Sequence, residues 1–363
     1  MKLFNGIFGA KKTESQGKGP RGFHQLRVKE VRRVTADSAS VTFDVPESLM
    51  STFRFRPGQY IDLSIEIGGK EERRSYSLCS QPESGIEIAV KAVEGGLVSR
   101  WLNEQLASGA QLWVSEPRGN FTIPEGAKSI VAFAGGSGIT PIMSMARQAV
   151  QEEYSMQLFY ANKTLDSVMF KDELEALNNL SVKHYLTREE HSDHSQGRLD
   201  QKALSELVKE NLDLLKADAF MLCGPAEMIE GIRAGLKLFG VPEERVHFEL
   251  FTTPETGMES NDVGAETDFH GKAQVEVILD GEKIPFELES DGQVILDAVN
   301  DQGYDAPYSC RGAVCCTCKA KVIEGKARMT MNYSLTDDEV QEGYILTCQA
   351  HPASERLKIT YDA

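Results

Sequence analysis

The 363-residue sequence has no long apolar run, no excess of positive charge and no even set of cysteines. A membrane-spanning helix needs about 20 apolar residues in a row, so none is expected. The formal net charge of −16 disfavours a nucleic-acid-binding protein, because phosphates would be repelled. Seven cysteines disfavour an oxidised secreted scaffold and indicate a reducing compartment, the cytoplasm.

The N-terminus also lacks the features of a targeting segment. Leu3 to Ala10 is a short apolar stretch, broken by Asn5, and no small-residue cleavage site follows it. A signal peptide needs a continuous apolar core and such a site. Residues 1–22 are therefore predicted to be a disordered tail.

Four of the cysteines follow a spacing that is typical of a plant-type [2Fe–2S] site. The pattern C-x4-C-x2-C-x29-C is made by Cys310, Cys315, Cys318 and Cys348, and soft thiolates are the ligands that iron–sulfur clusters need. Structural zinc or disulfides are the alternative, but zinc sites usually have two C-x2-C pairs and only one is present. Cys316 lies off the spacing and is not expected to be a ligand.

Histidines offer a second, weaker candidate for metal binding. His184, His191 and His194 lie in or near one polar segment, the last two at H-x2-H spacing. The other histidines are scattered, and no general base or covalent nucleophile is evident. A cluster moves one electron at a time, so the rest of the chain is expected to contain an electron source.

Hydrophobic patterning divides the remaining chain into four segments. Residues 23–124 alternate apolar and polar side chains between turn signals, which predicts an antiparallel β-barrel. Residues 125–251 alternate strand and helix patterns, which predicts a doubly wound α/β domain. Residues 252–272 are acidic without an apolar period, as in a flexible linker. Residues 273–363 contain the cysteine pattern and carry 16 acidic against 8 basic side chains.

Individual elements can be placed within the first two of these segments. Strands are predicted at residues 41–45, 60–67, 86–91, 129–134, 156–160, 181–186 and 219–223. Helices are predicted at residues 98–106, 168–177 and 201–209, from Pro141 onwards, and from Pro225 to near Gly240.

Two motifs of the barrel segment suit a flavin nucleotide. The run Arg74-Ser-Tyr-Ser77 puts a guanidinium that can neutralise a phosphate beside a ring that can lie along an isoalloxazine. Gly95 and Gly96 precede a helical run, and a helix N-terminus binds anions. Each motif alone is weak, since Arg74 is also compatible with a solvated strand and the glycines with an ordinary turn.

Two motifs of the α/β segment suit a dinucleotide. The run Gly135-Gly-Ser-Gly-Ile-Thr-Pro141 follows the first predicted strand, where glycines let the backbone approach a pyrophosphate. The run Cys223-Gly-Pro-Ala-Glu-Met228 follows another strand, at the edge of the sheet where ligands bind. Core packing remains the alternative role for Cys223.

In this order, the motifs resemble those of the ferredoxin–NADP reductase superfamily, and the cysteine segment resembles a plant-type ferredoxin domain, whose fold is an α+β β-grasp. The likeness extends from His24 to Asp362. Such a fusion is similar to the reductases of bacterial multicomponent oxygenases and of hybrid-cluster protein. The run Met329-Thr-Met-Asn-Tyr-Ser-Leu335 resembles most the phenylacetyl-CoA epoxidase type of phenylacetate catabolism.

The resemblance implies cofactors and site residues at the matching positions. FAD would be bound by Arg74, Ser75, Tyr76, Ser77, Gly95, Gly96 and Ser99. A pyridine nucleotide would be bound by Gly135, Gly136, Gly138, Thr140, Pro141, Gly224, Pro225 and Met228. Cys223 would lie near the nicotinamide, and Glu249 and Phe251 where this family closes over the flavin, with Cys223 and Glu249 as the catalytic candidates. The [2Fe–2S] cluster would be held by Cys310, Cys315, Cys318 and Cys348.

Two cations bear on the choice of nucleotide. Lys163 and Arg188 follow the second and third strands of the α/β segment, where a 2′-phosphate would lie. They favour NADPH, with NADH as the open alternative.

The predicted function is transfer of electrons from NADPH through FAD and the cluster to a separate acceptor, a di-iron oxygenase component. A reductase for another oxygenase, a desaturase or hybrid-cluster protein is an alternative, as is a diaphorase or ferric reductase with a vestigial cluster. A redox-sensing iron–sulfur binding module is an alternative of another class. The acidic last third suits docking on a basic partner, although solubility alone would also explain it.

Overall fold

The computed structural model of the chain describes residues 19–192, 194–251, 263–264 and 269–363. These residues form three six-stranded sheets. The predicted tail, apart from its last four residues, and most of the predicted linker lie outside the described residues. Within the described part, no helix is both long and apolar enough to cross a membrane.

The first sheet is an antiparallel barrel with strand order β4-β3-β6-β1-β2-β5. Its strands are β1 Phe23–Thr35, β2 Ser38–Asp44, β3 Tyr60–Ile67, β4 Lys70–Ser77, β5 Ile86–Lys91 and β6 Gln111–Ser115, and its helix is α1 Leu97–Glu104. A bridge between Leu78 and Ile88 joins the two ends of the sheet. Alternate side chains of β3, among them Ile61 and Leu63, fill the interior.

The second sheet is parallel, with strand order β10-β9-β8-β7-β11-β12. Its strands are β7 Ser129–Gly135, β8 Ser155–Asn162, β9 Leu180–Leu186, β10 Ser195–Gln196, β11 Ala219–Cys223 and β12 Val246–Glu249. Its helices are α2 Ile139–Glu152, α3 Lys171–Glu175, α4 Gln201–Glu210 and α5 Ala226–Leu238. Apolar clusters cover both faces. The strand order reverses between β7 and β11, which is the topological switch point where such sheets bind ligands.

The third sheet is mixed, with strand order β13-β16-β18-β14-β15 and β17 paired to β16. Its strands are β13 Val263–Gly264, β14 Lys272–Leu279, β15 Glu282–Glu289, β16 Lys319–Met329, β17 Tyr344–Leu346 and β18 Ala350–Thr360, and its helices are α6 Ile295–Asp301 and α7 Asp337–Gln341. Strands β14 and β18 are parallel, and the other pairs are antiparallel. The apolar face of α6 packs on this sheet. The three-part fold class predicted from the sequence is confirmed.

Most predicted elements form at or near the expected positions. The strands at 60–67, 86–91 and 219–223 have the predicted bounds. Helix α2 begins at Ile139, two residues before Pro141. The helix predicted at 168–177 was too long, because Phe170 adopts a left-handed φ of 60° and only Lys171–Glu175 is helical.

The outward face of β3 is buried, although an outer barrel face would ordinarily be in water. Tyr60, Asp62 and Ser64 point away from the barrel interior and are 5%, 0% and 4% exposed. The third domain covers this face, with Thr317 hydrogen-bonded to Asp62. The domain that carries the cysteine pattern is therefore docked on the barrel.

Candidate functional site

The four cysteines of the predicted cluster site lie in two pairs. The largest influence on the pKa of each thiol comes from one other cysteine, with Cys310 and Cys315 forming one such pair and Cys318 and Cys348 the other. The loop between α6 and β16 supplies three of them, and the turn after β17 supplies the fourth. A binuclear cluster takes two thiolates on each iron, whereas a mononuclear zinc site gathers four ligands around one point. The pairing fits [2Fe–2S].

Hydrogen bonds in the cysteine loop favour the thiolate form at two sulfurs. The pKa of Cys310 is lowered by the hydrogen bond from Cys315 and by backbone N–H groups, that of Gly312 being 3.4 Å from Sγ. The pKa of Cys348 is lowered by the hydrogen bond from Cys318 and by the amide of Ala313. Thiolates are the metal-binding form of cysteine. The same hydrogen bonds, followed by burial, raise the pKa of Cys315 and Cys318 well above the ordinary value. The loop therefore favours one thiolate in each pair, and the other thiol must lose its proton when a cluster binds.

The backbone of the cysteine loop is strained where it curves round this site. Arg311 and Ala313 adopt left-handed φ values of 54° and 61°, which costs of order 1–3 kcal/mol for a residue with a Cβ. Cys316 lies apart from the two pairs. Its thiol donates to the Ser334 carbonyl oxygen at 3.4 Å, and burial raises its pKa to about 11.

The expected flavin motif lies on β4, with its side chains on two faces. Arg74 and Tyr76 share the face of Leu63 and Ile61 on the paired strand β3. The Arg74 guanidinium is about half exposed and pairs with Glu72 at 3.1 Å. Tyr76 packs against the barrel core, and this burial raises its pKa. A cation and a ring on one face suit a flavin nucleotide.

The two serines of the motif take the opposite face and contact the other domains. Ser75 donates to Asp62 Oδ1 at 2.6 Å and is hydrogen-bonded to Ser309 of the third domain. Ser77 donates to Glu249 Oε2 at 3.2 Å. These two hydroxyl groups thus donate to protein partners, and each oxygen keeps lone pairs with which it can accept a further hydrogen bond.

The second predicted phosphate site is the start of α1. Gly96 precedes the helix, whose first turn has no side-chain cap, so its N–H groups can bond an anion. A Cβ at Gly96 would lie 2.5 Å from Ser99 Oγ. Gly95 has a φ of +71° in open space. Ser99 Oγ accepts the Val93 amide at 3.1 Å, which ties this loop to the helix.

Glycine is required at the end of β7 for two different structural reasons. A Cβ at Gly138 would lie 2.1 Å from the Cys223 carbonyl oxygen, and one at Gly135 would lie 2.5 Å from Pro225 Cδ. Those two glycines let the ends of β7 and β11 touch. Gly136 has a φ of +54° and no atom within 4 Å of a built Cβ. Its open side fits a pyrophosphate approaching the uncapped start of α2.

The remaining dinucleotide candidates surround this loop. Thr140 Oγ1 donates to the Ser137 carbonyl oxygen at 3.1 Å, and Pro141 is buried in the first turn of α2. Gly224, with a φ of +159°, and Met228 pack against Gly135 from the β11 side.

Cys223, Glu249 and Ser77 are brought together from two domains. Cys223 and Glu249 are register partners at the ends of β11 and β12. Cys223 is fully buried, and burial followed by the nearby Glu249 charge raises its pKa well above the ordinary value. Burial raises the pKa of Glu249 to about 8, against the opposing hydrogen bond from Ser77. The titration of Glu249 is thus shifted upward towards neutral pH. Phe251 follows with 38% of its surface exposed.

Lys163 and Arg188 lie at the ends of adjacent strands. The Arg188 amide donates to the Lys163 carbonyl oxygen at 2.9 Å. Two cations thus lie just beyond β8 and β9, on the β8 side of the switch point.

The three histidines are near one another, with ring centroids 5.3 Å apart for His184 and His194 and 4.5 Å apart for His191 and His194. Burial, followed by the charge of His194, lowers the pKa of His184. Within residues 19–192, 194–251, 263–264 and 269–363, no three His, Cys, Asp or Glu side chains are grouped so as to hold a single metal ion.

Sequence reasoning missed the side chains that join the barrel to the cysteine loop, chiefly Tyr60, Asp62 and Thr317. In the sequence, Tyr60 and Asp62 look like the solvent side of an alternating strand. A buried acid on an outer strand face is recognisable only once the covering domain is known.

Three family models match successive parts of the chain. The oxidoreductase FAD-binding domain matches residues 25–123, the oxidoreductase NAD-binding domain matches 133–234, and the 2Fe-2S iron-sulfur cluster binding domain matches 277–353. The fold and its candidate sites thus define a reductase with FAD, a pyridine nucleotide and a [2Fe–2S] cluster.

Curated relatives cover nearly the whole chain. One component of the 1,2-phenylacetyl-CoA epoxidase of Escherichia coli (strain K12) is 38% identical over 94% of this chain and 98% of its own length. The ferredoxin reductase component of 3-ketosteroid-9-alpha-monooxygenase from Rhodococcus rhodochrous is 35% identical over 93% and 96%. The chain belongs to the family of flavin- and iron–sulfur-containing oxygenase reductase components that these relatives represent.

A solved structure has the same three-part arrangement. Phthalate dioxygenase reductase, described as a modular structure for electron transfer from pyridine nucleotides to [2Fe–2S], is 25% identical with a TM-score of 0.58. The match covers 93% of this chain and 98% of that one. The predicted fold, enzyme class and cofactor types are therefore confirmed.

Proposed function

We propose that this chain is the reductase component of a phenylacetyl-CoA epoxidase type of system. It takes electrons from NADPH through FAD to the [2Fe–2S] cluster and passes them to a separate di-iron oxygenase component in the cytoplasm. The observation that carries the proposal is the docking of the cysteine loop on β3, with Thr317 bonded to Asp62 at 2.8 Å. That contact puts the one-electron carrier beside the flavin motif of the same chain.

The proposed residue roles follow from the geometry. FAD accepts a hydride, which carries two electrons, and can release those electrons singly to a cluster. Arg74 and the first turn of α1 neutralise and hold its pyrophosphate. Gly136 and the start of α2 hold the nucleotide pyrophosphate. Cys223 and Glu249 line the point where β11 and β12 meet the barrel, and so border the place of hydride transfer.

An assay with a partner oxygenase tests which protein accepts the electrons. The chain is mixed with a purified di-iron phenylacetyl-CoA epoxidase component, NADPH, oxygen and phenylacetyl-CoA, and the epoxide is measured together with NADPH consumption. We expect product only when both proteins are present. If another oxygenase, desaturase or hybrid-cluster protein is reduced efficiently and this oxygenase is not, the assigned partner is wrong while the reductase class stands.

A further inference from the structure

The contact between the barrel and the cysteine loop is made by buried polar groups. Asp62 is fully buried on the outward face of β3, and Thr317 is 5% exposed. Thr317 Oγ1 donates to Asp62 Oδ2 at 2.8 Å, and Ser75 donates to Oδ1 at 2.6 Å. Both carboxylate oxygens therefore have partners, as a buried carboxylate requires.

Tyr60 makes a second contact beside this carboxylate. Its hydroxyl accepts the backbone N–H of Cys316 at 3.1 Å and lies 3.4 Å from Thr317 Oγ1. Tyr60 is itself 5% exposed. Tyr60, Asp62, Ser75, Ser309 and Thr317 form one hydrogen-bonded group, named here the interdomain latch.

The interdomain latch holds the cysteine loop at both ends. Ser309 directly precedes Cys310, and its hydroxyl is 2.9 Å from that of Ser75. Thr317 directly precedes Cys318. Each iron-ligand pair has a member next to a latch residue in the sequence, so a shift of the latch would move both pairs.

The interdomain latch also reaches the flavin motif. Ser75 lies between Arg74 and Tyr76 on β4, whose side chains are on the face expected to hold FAD. Asp62 is thus hydrogen-bonded directly to a member of the flavin motif on one side and to the residue next to a cluster ligand on the other. No other group of the described residues links the two motifs through hydrogen bonds to one carboxylate.

Contacts outside the latch also join the third domain to the barrel. Arg73 pairs with Asp305 at 2.7 Å, and its guanidinium lies 4.4 Å from the Tyr308 ring centroid. The Arg21 amide donates to Asp305 Oδ2 at 2.9 Å. We therefore expect the third domain to stay on the barrel when a single latch hydroxyl is removed.

We propose that Asp62 and Tyr60 are positioning residues which fix the distance and orientation between FAD and the [2Fe–2S] cluster. The inference rests on the proposed order of electron transfer. The step concerned moves one electron at a time from reduced flavin to the oxidised cluster, and the latch residues neither form bonds nor exchange protons in it. Their effect is on the geometry of that step and not on reduction of the flavin by NADPH.

The test compares Thr317→Val and Tyr60→Phe with Thr317→Ser in the full-length holoprotein. Valine is nearly isosteric with threonine but lacks the hydroxyl, and serine restores it. Stopped-flow spectroscopy separates flavin reduction by NADPH from cluster reduction. We expect flavin reduction to be unchanged in all three variants. Cluster reduction should slow by roughly ten- to a hundredfold in the valine and phenylalanine variants, and serine should restore most of the rate.

A second readout does not depend on activity. Backbone hydrogen exchange of the peptide containing Cys316 should be about fivefold faster or more in Tyr60→Phe, because its amide loses its partner. If the valine variant fails to take up iron, the phenylalanine variant still tests whether the latch positions the cluster relative to FAD. Unchanged cluster reduction and unchanged exchange in Tyr60→Phe would overturn the inference. Failure of the flavin to reduce the cluster in the unaltered protein would instead overturn the proposed electron order.

Discussion

The cysteine loop and the glycine loop both serve to hold a cofactor, yet they do so by opposite means. The loop at 310–318 supplies side-chain ligands and aims backbone N–H groups at two of their sulfurs. The loop at 135–138 works by the absence of side chains, since a Cβ at two of its positions would collide with the end of β11. The residues of the first loop are required for their ligand atoms, and those of the second loop are required because a larger side chain would not fit. The two loops should therefore respond differently to substitution.

The largest effect is expected at the cysteine loop. Cys315→Ser removes a thiolate from one of the two pairs, so iron binding and cytochrome c reduction should fall about tenfold or more. NADPH-dependent ferricyanide reduction should persist, because the flavin still works. Cys316→Ser is the matched control and should retain both activities and the rhombic EPR signal of the dithionite-reduced protein. Equal losses in the two variants would count against the assigned ligand set.

The next effect is expected at the glycine loop. Gly138→Ala places a methyl group 2.1 Å from a backbone oxygen, so the free energy of unfolding should fall by about 1–3 kcal/mol or more. Gly136→Ala meets no atom but adopts a left-handed φ, at a cost of about 1–2 kcal/mol. Denaturant unfolding of both variants measures which one loses more of its free energy of unfolding. A larger loss in Gly136→Ala would show that space at Gly138 is not the constraint.

An effect of intermediate size depends on pH and concerns the boundary between the barrel and the glycine loop. Glu249 has a pKa of about 8 against an ordinary 4.5. Between these values the folded chain holds a proton that the unfolded chain has released, so stability decreases as pH rises from about 4.5 through about 8. Glu249→Gln should lessen that decrease by on the order of 1 kcal/mol or more. Melting temperatures from pH 5 to 9 measure this decrease in stability. Parallel curves for the unaltered protein and the variant would refute the raised pKa of Glu249.

The smallest effect is expected beyond the glycine loop, at the two cations. Lys163→Ala or Arg188→Ala should raise the KM for NADPH about tenfold, equivalent to roughly 1.4 kcal/mol for a charged hydrogen bond to the 2′-phosphate. The KM for NADH should not change. Steady-state ferricyanide reduction with each nucleotide measures both constants. An equal rise for the two nucleotides, or a preference for NADH in the unaltered protein, would refute NADPH selectivity.

Local patterns were enough to predict the sheets of the first two domains and the positions of the cofactor motifs. The alternation in β3 and the apolar run of β7 are local properties, so their strands could be predicted. Strands β1, β4 and β6 of the barrel and β10 and β12 of the second sheet were missed. In β1 and β4, Arg27, Lys29, Glu30 and the run 70–74 carry charge where a predictor looks for apolar alternation. These strands are held by pairing with β2, β6 and β3, which a short window of sequence does not reveal.

The docking of the third domain could not be predicted from local patterns either. Asp62 and Thr317 are 255 residues apart, and although Thr317 lies inside the cysteine pattern, nothing in the sequence near Asp62 marks it as the partner. The polar outer face of β3 is compatible with water as well as with a protein partner. Only the folded chain distinguishes the two, through the loss of solvent around Tyr60 and Asp62.

The closed environment of the cysteine pairs has a consequence for how the protein matures. Cys315, Cys318 and Cys348 are 4%, 2% and 5% exposed in the docked molecule. Iron and sulfide must therefore reach these thiols before the loop closes against its surroundings. Since Cys318 and Cys348 pack in the apolar core of their own domain, we expect installation of the inorganic core to require that the cysteine loop opens, whether or not this domain is docked on the barrel.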